Sequence, residues 1–415
     1  MKEQISAACA ILSKVFSEGT YADRAFDNED PAALTSRLVF GVLEKNAEIE
    51  YILLQLVEKN PKKFVHILLK VGIYALRYLD NVPDYAIVSE CVEAAKSAGK
   101  GGAAGFVNAV LKRVAKREYR LPDPSDAEYL SVHYCVPQWF VDKLTVEYGK
   151  DVALDVLSAR GTDEVHLRVN RRMSNLRAVE ETLKKKGREY SESEVGGLLT
   201  RVTPIVKQLF AQGVVTYQSP SSVLAVDALA PQGDVEILDL CSAPGGKAVY
   251  ASELAPKGRV TACDLHPHRV ALIKKYAERM HADNVKAVCA DATVFDESLQ
   301  NKFDFVMADV PCSCFGTYKK HPDVFLQRGE EAIPRLAAVQ KKIVENAARY
   351  LKKDGVLVYS TCTLFSEENE DNARYAQSLG LVPDRMPINH PNDGRLRILP
   401  RDEWDGFFIA RFKKA

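Results

Sequence analysis

Residues 235–254 read Val-Glu-Ile-Leu-Asp-Leu-Cys-Ser-Ala-Pro-Gly-Gly-Lys-Ala-Val-Tyr-Ala-Ser-Glu-Leu. A short apolar run over Val235–Leu240 predicts a strand. Pro244, Gly245 and Gly246 break it, and a helical stretch follows through Leu254. Strand, tight turn and helix in that order open a βαβ unit. The same texture continues downstream. Strands are predicted at Arg259–Cys263, Val285–Cys289, Phe303–Ala308, Val356–Ser360 and Phe407–Phe412. Helices are predicted over about 268–280 and 333–351. Strands separated by helices specify a parallel, doubly wound sheet, whose ligands sit at the carboxyl ends of the strands.

Upstream the pattern changes. Through about residue 120, apolar residues recur at helical spacing, as in Leu38, Val39, Val42, Leu43, Ile49, Ile52, Leu53 and Leu56, with no strand alternation. Gly99, Gly101, Gly102 and Gly105 separate the last two helices. The second of these ends in Lys112, Arg113, Lys116 and Arg117, either a solvated helix end or a phosphate-contacting patch. Leu121-Pro-Asp-Pro-Ser125 reads as a linker. Residues 127–205 are mixed, with a strand-like His166–Asn170. Eight basic residues, Arg168, Arg171, Arg172, Arg177, Lys184, Lys185, Lys186 and Arg188, make the densest positive stretch of the chain. The expected architecture is therefore multi-domain. An all-α domain spans 1–122, a small basic α+β segment spans 127–205, and an α/β Rossmann-like domain spans 206–415.

The 415 residues suffice for such a division, and 47% hydrophobic with 27% charged residues is ordinary globular usage, which excludes fibrous and disordered classes. The 56 basic residues balance 56 acidic ones, so any nucleic-acid surface must be local. Nine cysteines include no Cys-x-x-Cys pair, which argues against a zinc ribbon. No apolar run approaches the roughly 18 residues of a membrane span, and residues 1–16 lack a secretory layout. The expectation is a cytoplasmic monomer with free thiols, no membrane partner and no metal.

Five strand ends carry chemistry. The turn Cys241-Ser-Ala-Pro-Gly-Gly-Lys247 lets a ligand approach the backbone. It is not a triphosphate loop, because Ala248 follows the lysine and offers no hydroxyl for magnesium. Asp264 ends the second strand, suited to ribose hydroxyls, and Asp291 follows the third, suited to an adenine amine. Together they suggest a nucleoside cofactor, although either aspartate could instead cap a turn. Asp309-Val-Pro-Cys-Ser-Cys314 ends the fourth strand and Tyr359-Ser-Thr-Cys-Thr363 the fifth, so Cys312 and Cys362 occupy two strand tips on one face.

The motifs DVPCS, YSTCT and LDLCSAPGGK resemble the Sun family of RNA cytosine-C5 methyltransferases, and VPDYAIVSECVEAAK with GFVNAVLKRVAKR resembles a NusB-like RNA-binding domain. That order of domains is the arrangement of bacterial 16S ribosomal RNA members. The resemblance implies S-adenosylmethionine as cofactor and 16S ribosomal RNA, naked or in an early assembly intermediate, as substrate. It implies Cys362 as the covalent nucleophile, Cys312 as the thiol assisting release, Asp309 on the cytosine edge and Lys247 as a nearby cation. The residues alone do not say which cysteine plays which part. It further implies that Cys241, Ser242, Ala243, Pro244, Gly245, Gly246 and Lys247 wrap the cofactor with Asp264, Arg269, Asp291 and Asp309. Lys112, Arg113, Lys116, Arg117, Arg168, Arg171, Arg172, Lys319, Lys320 and His321 are the expected RNA contacts.

One departure stands out: Cys314 occupies a position where the family usually has glycine, so a positive φ there would be strained. Three readings compete with the 16S assignment. They are the same chemistry on transfer RNA or another ribosomal cytosine, a non-catalytic assembly factor, and a small-molecule methyltransferase. The paired thiols disfavour the second, and the extra domains disfavour the third.

Overall fold

The computed structural model describes residues 1–26 and 32–415. The chain divides into two compact units. One comprises Met1–Ser158 and Tyr318–Glu330; the other comprises Ala159–Thr317 and Glu331–Ala415.

The first unit is helical. Its buried centre is the helix Lys63–Tyr78, apolar on most sides (Val65, Leu68, Leu69, Val71, Ile73), with the helices Lys2–Glu18, Ala33–Glu44, Asp84–Ser97 and Ala104–Ala115 packed around it. Past the Pro-containing stretch at 121–125 the chain stays in this unit as the helices Tyr129–Tyr134, Gln138–Tyr148 and Lys150–Ser158. The division therefore falls at Ser158, inside the expected 127–205 segment, and not at the prolines. Residues 318–330 rejoin this unit. Phe325 packs edge-on to Phe140, with ring centroids 4.9 Å apart, and the Tyr318 hydroxyl donates to the Val156 carbonyl at 3.0 Å. No helix among the described residues is long and apolar enough to cross a membrane.

The second unit holds two sheets. The small one comprises β1 (Val165–Val169), β2 (Ser191–Glu192), β3 (Leu198–Thr200) and β4 (Val215–Tyr217), antiparallel in the order β2-β3-β1-β4. It packs with the helices Leu176–Lys185 and Pro204–Ala211 around Leu167, Val179, Leu183, Leu198 and Val206. This is the α+β part expected of the middle segment, extended to Tyr217.

The large sheet contains β5 (Glu236–Asp239), β6 (Arg259–Asp264), β7 (Val285–Cys289), β8 (Phe303–Asp309), β9 (Leu351–Thr361), β10 (Leu381–Pro383), β11 (Arg395–Ile398) and β12 (Phe407–Lys414). Its order is β10-β12-β9-β8-β5-β6-β7, with β11 beside β12. The five strands β5 to β9 are mutually parallel, whereas β12 runs antiparallel to β9. Helices cover both faces, so the central strands are apolar on both sides, as in Ile237, Leu238, Val306, Met307 and Leu357. The chain winds from β5 outward to β6 and β7, then returns to β8 and β9 on the other side. That reversal opens a crevice at the carboxyl end of β5.

Candidate active site

The crevice is built from the ends of β5, β6, β8 and β9. After β5 the backbone turns into the helix Gly246–Leu254 through Gly245, whose φ of 111° belongs to the left-handed region that glycine tolerates. A Cβ at Gly245 would meet the Cα of Ile273 at 3.3 Å, so a side chain there would be tightly packed as well as strained in conformation. The turn is anchored to β6: the Ser242 amide donates to the Cys263 carbonyl at 2.8 Å, and the Ala243 amide to Asp264 Oδ2 at 3.3 Å. Arg269 bridges the two, its Nε 3.3 Å from Asp264 Oδ2 and its Nη2 3.3 Å from the Ala243 carbonyl. Asp264 also accepts from the His266 amide at 3.3 Å.

Asp239, at the tip of β5, was not among the expected site residues. Its carboxylate is buried, with the Ser242 hydroxyl and the Cys241 amide as the donors nearest to it. Burial pushes the Asp239 carboxyl up to about 7, with the Asp309 charge adding to the effect. A buried carboxylate is costly unless well supplied with donors, so Asp239 at the mouth of the crevice suits a donor-bearing ligand. The sequence hint was a carboxylate closing an apolar strand directly before a glycine turn. Asp291, beyond β7, is exposed and accepts from the Thr293 amide at 2.9 Å and the Thr293 hydroxyl at 2.7 Å. One of its oxygens therefore caps a turn.

On the other side, the register of β8 against β9 pairs Asp309 with Ser360. Asp309 Oδ1 accepts from the Ser360 hydroxyl and Oδ2 from Lys247 Nζ, both at 2.6 Å. Burial disfavours the Lys247 charge, but Asp309 outweighs it, and the ammonium is held above its ordinary range. Lys247 is thus paired with Asp309, and its charge also acts on Cys362.

Three residues beyond Asp309, and two beyond Ser360, lie the thiols. Cys312 Sγ and Cys362 Sγ are 3.3 Å apart, and the Cys362 amide points at Cys312 Sγ from the same distance. Hydrogen bonding to Cys314 and Cys362, then burial, raises Cys312 well above the ordinary thiol range. For Cys362 the hydrogen bond with Cys312 works downward, but Cys314, burial and Asp309 leave it raised as well. Both thiols are therefore disfavoured as thiolates by their surroundings. Cys314 does have a positive φ, 62°, as its replacement of glycine warned, and its Sγ lies 4.0 Å from that of Cys312.

A buried polar cluster clamps the two cysteine loops. Glu368 is fully buried and accepts from the Ser313 amide at 2.9 Å, the Ser313 hydroxyl at 2.5 Å and Gln340 Nε2 at 2.8 Å. The Ser313 and Thr363 hydroxyls are 2.6 Å apart, and Gln340 also donates to the Pro311 carbonyl at 2.9 Å. Gly316 donates to the Cys362 carbonyl at 3.0 Å; a Cβ there would sit 2.1 Å from the Gly406 carbonyl oxygen. Nothing in the pattern of residues 366–371, an acidic run, announced Glu368 as an internal anchor.

The basic residues divide. Arg168 is not a surface contact. It alternates inward on β1, forms an ion pair with the buried Glu253 at 2.6 Å, donates to Gln218 at 2.6 Å and lies over the Tyr250 ring. Arg172 is spent on the Ser252 carbonyl at 2.7 Å and Asn284 at 2.6 Å. Lys319 donates to the Leu157 carbonyl at 2.5 Å, and burial, with Lys45 nearby, lowers it to about 8. These three are structural. Arg113 bonds Glu118 and the Leu56 carbonyl. Lys112, Lys116, Arg117, Arg171, Lys320 and His321 are exposed.

The profile of the family described as 16S rRNA methyltransferase RsmB/F matches residues 226–413, and that of the NusB family matches residues 3–116. A protein of Bacillus subtilis strain 168, "Probable ribosomal RNA small subunit methyltransferase B", is 34% identical over 92% of this chain and 90% of its own length. The chain belongs to the RsmB family of ribosomal RNA small subunit methyltransferases. A second relative, from Proteus mirabilis strain HI4320, "Ribosomal RNA small subunit methyltransferase B", is 32% identical over the same shares of the two chains. Among solved structures, that of PH0851 superposes with a TM-score of 0.85 at 26% identity, over 100% of this chain and 99% of its own. As an RsmB-family methyltransferase the enzyme uses S-adenosylmethionine. The crevice fits that cofactor. The buried carboxylate of Asp239 and the carboxylate of Asp264, at the ends of neighbouring strands, are acceptors whose chemistry suits its ammonium and hydroxyl donors.

Proposed function

We propose that this RsmB-family enzyme methylates C5 of one cytosine in 16S ribosomal RNA through a covalent bond between Cys362 and C6. The observation that carries the reading is the pair of thiols 3.3 Å apart on adjacent strand ends, three residues from a carboxylate held by Lys247 and Ser360. Cytosine C5 is a poor nucleophile until a thiolate adds at C6 and raises its electron density. S-adenosylmethionine, held by residues 241–247 with Asp264, Arg269, Asp291 and Asp309, supplies a methyl group on a sulfonium sulfur. Asp309 would accept from the cytosine amino edge and balance charge as the ring is attacked. Cys362 is the nucleophile by its place in the motif Tyr359-Ser-Thr-Cys-Thr363 that the family resemblance rests on. Cys312 then assists loss of Cys362 once the C5 proton has left. The target base must leave any stack to enter the crevice, which favours RNA not yet enclosed by assembly. Lys112, Lys116, Arg117, Arg171, Lys320 and His321 would supply backbone contacts in the cytoplasm, where such RNA is found.

The test is adduct trapping. With 16S RNA and S-adenosylmethionine, Cys312→Ala is expected to accumulate a denaturation-resistant enzyme–RNA band, and Cys362→Ala none. The band appearing with Cys362→Ala instead would exchange the two roles. Bisulfite sequencing of ribosomal and transfer RNA from a deletion strain would locate the cytosine.

A further inference from the structure

Three thiols, not two, meet at the ends of β8 and β9. The sulfurs of Cys312, Cys314 and Cys362 all lie within 4.8 Å of one another, with edges of 3.3 Å (Cys312–Cys362) and 4.0 Å (Cys312–Cys314). We propose that these three cysteines form a binding site for a single thiophilic d¹⁰ cation, Zn²⁺, with the fourth position left to water.

The geometry fits without rebuilding. A zinc–thiolate bond is about 2.3 Å, so two sulfurs on one tetrahedral ion stand about 3.8 Å apart. These two edges bracket that spacing, and the third, between Cys314 and Cys362, lies within 4.8 Å, so shifts of about an ångström or less bring all three sulfurs into reach. The donor set is soft, which selects zinc or copper(I) over magnesium or calcium. Of the carboxylates nearby, Asp309 is paired with Lys247, so that pair presents no net positive charge to the sulfurs.

Cys314 is what distinguishes this site. Methyl transfer by addition and release employs two thiols and leaves the third without a task. Cys314 is moreover held at φ 62°, a left-handed conformation that strains an L residue and that glycine adopts freely. A side chain retained at a strained position, aimed at two other sulfurs, completes a trigonal donor face. Binding releases the thiol protons, up to three, to solvent as the metal–sulfur bonds form. Occupancy removes both Cys312 and Cys362 from covalent chemistry, so zinc would hold the enzyme off; this inhibition, unlike the binding, rests on the function proposed above.

The test uses the reduced full-length protein with the exposed Cys289 replaced by serine, titrated anaerobically with Co²⁺. One equivalent should give intense sulfur-to-cobalt absorption, displaced by Zn²⁺. Cys314→Gly and Cys314→Ser should each weaken Zn²⁺ binding at least tenfold, serine keeping the side chain while removing the soft donor. Wild-type affinity in both variants, or cobalt absorption that survives in Cys312→Ala/Cys362→Ala, would overturn the site. Methylation is followed separately. Inhibition by Zn²⁺ that a chelator reverses, and that shifts at least tenfold in Cys314→Gly, supports the proposal in full. Zinc bound at all three thiols with methylation intact would keep the site and count against the two-cysteine chemistry.

Discussion

At the scale of single residues, the site is governed by groups whose environment opposes their preferred state. Asp239 is fully buried, and its carboxyl is raised to about 7 from an ordinary value near 3.8, chiefly by that burial. The folded protein therefore holds this proton more tightly than the unfolded chain does. Below about pH 4 both states are protonated and no penalty arises. Between about pH 4 and 7 the folded state loses stability, by an amount on the order of 4 kcal/mol when complete. Asp239→Asn should unfold at higher denaturant than the wild type at pH 8, with the difference vanishing near pH 4, and should bind S-adenosylmethionine more weakly. Unfolding midpoints that track each other across this range would remove the argument. Cys314 makes the complementary case for backbone strain. Cys314→Gly relieves the left-handed conformation but adds freedom to the unfolded chain, for a net gain of roughly 0.5–1 kcal/mol. Chemical denaturation reads that directly, and a loss of stability would mean the thiol contacts outweigh the strain.

At the scale of elements, the parallel strands and their order of motifs were legible because each strand is a short apolar run ending in a polar or cysteine-bearing turn. β5 to β9 and β12 lie where the run of apolar residues put them, and the parallel register of Asp309 with Ser360 brings the loops of Cys312 and Cys362 side by side. What stayed hidden was everything that depends on partners distant in sequence. Arg168, Arg172 and Lys319 look like surface cations when residues are counted by charge, but strand alternation and local packing turn them inward onto Glu253, Asn284 and the Leu157 carbonyl. The two-residue β2 and three-residue β3 and β10 are too short to leave a period. Glu368 belongs to this hidden class, since an acidic run ordinarily faces solvent. It joins the loop of Cys312, through Ser313, to the loop of Cys362, through Thr363. Glu368→Ala strands several buried donors and should cost about 3 kcal/mol of stability. Glu368→Gln keeps the shape and should cost less, yet still lower adduct formation in the Cys312→Ala background. Adduct yield equal to that background alone would show that the clamp holds the fold without positioning the thiols.

At the scale of the whole molecule, the helical unit and the catalytic unit are not successive beads. The chain leaves the catalytic unit after Thr317, contributes residues 318–330 to the helical unit and returns at Glu331. Deleting the helical domain would strip Phe325 and Tyr318 of Phe140 and Val156, so weaker RNA binding by such a truncation does not separate affinity from folding. A surface variant avoids this. The chain has no net charge, so phosphate affinity must come from local clusters, and the exposed one at the end of the helix Ala104–Ala115 comprises Lys112, Lys116 and Arg117. Replacing all three with glutamine leaves the described core untouched. If each meets one phosphate, the slope of log binding constant against log salt should shallow by about 2–3, at about 0.7–0.9 for each phosphate no longer neutralised. Cofactor affinity and unfolding midpoint should not move. An unchanged slope would return these residues to an ordinary solvated helix end and shift the burden of RNA affinity to Arg171, Lys320 and His321.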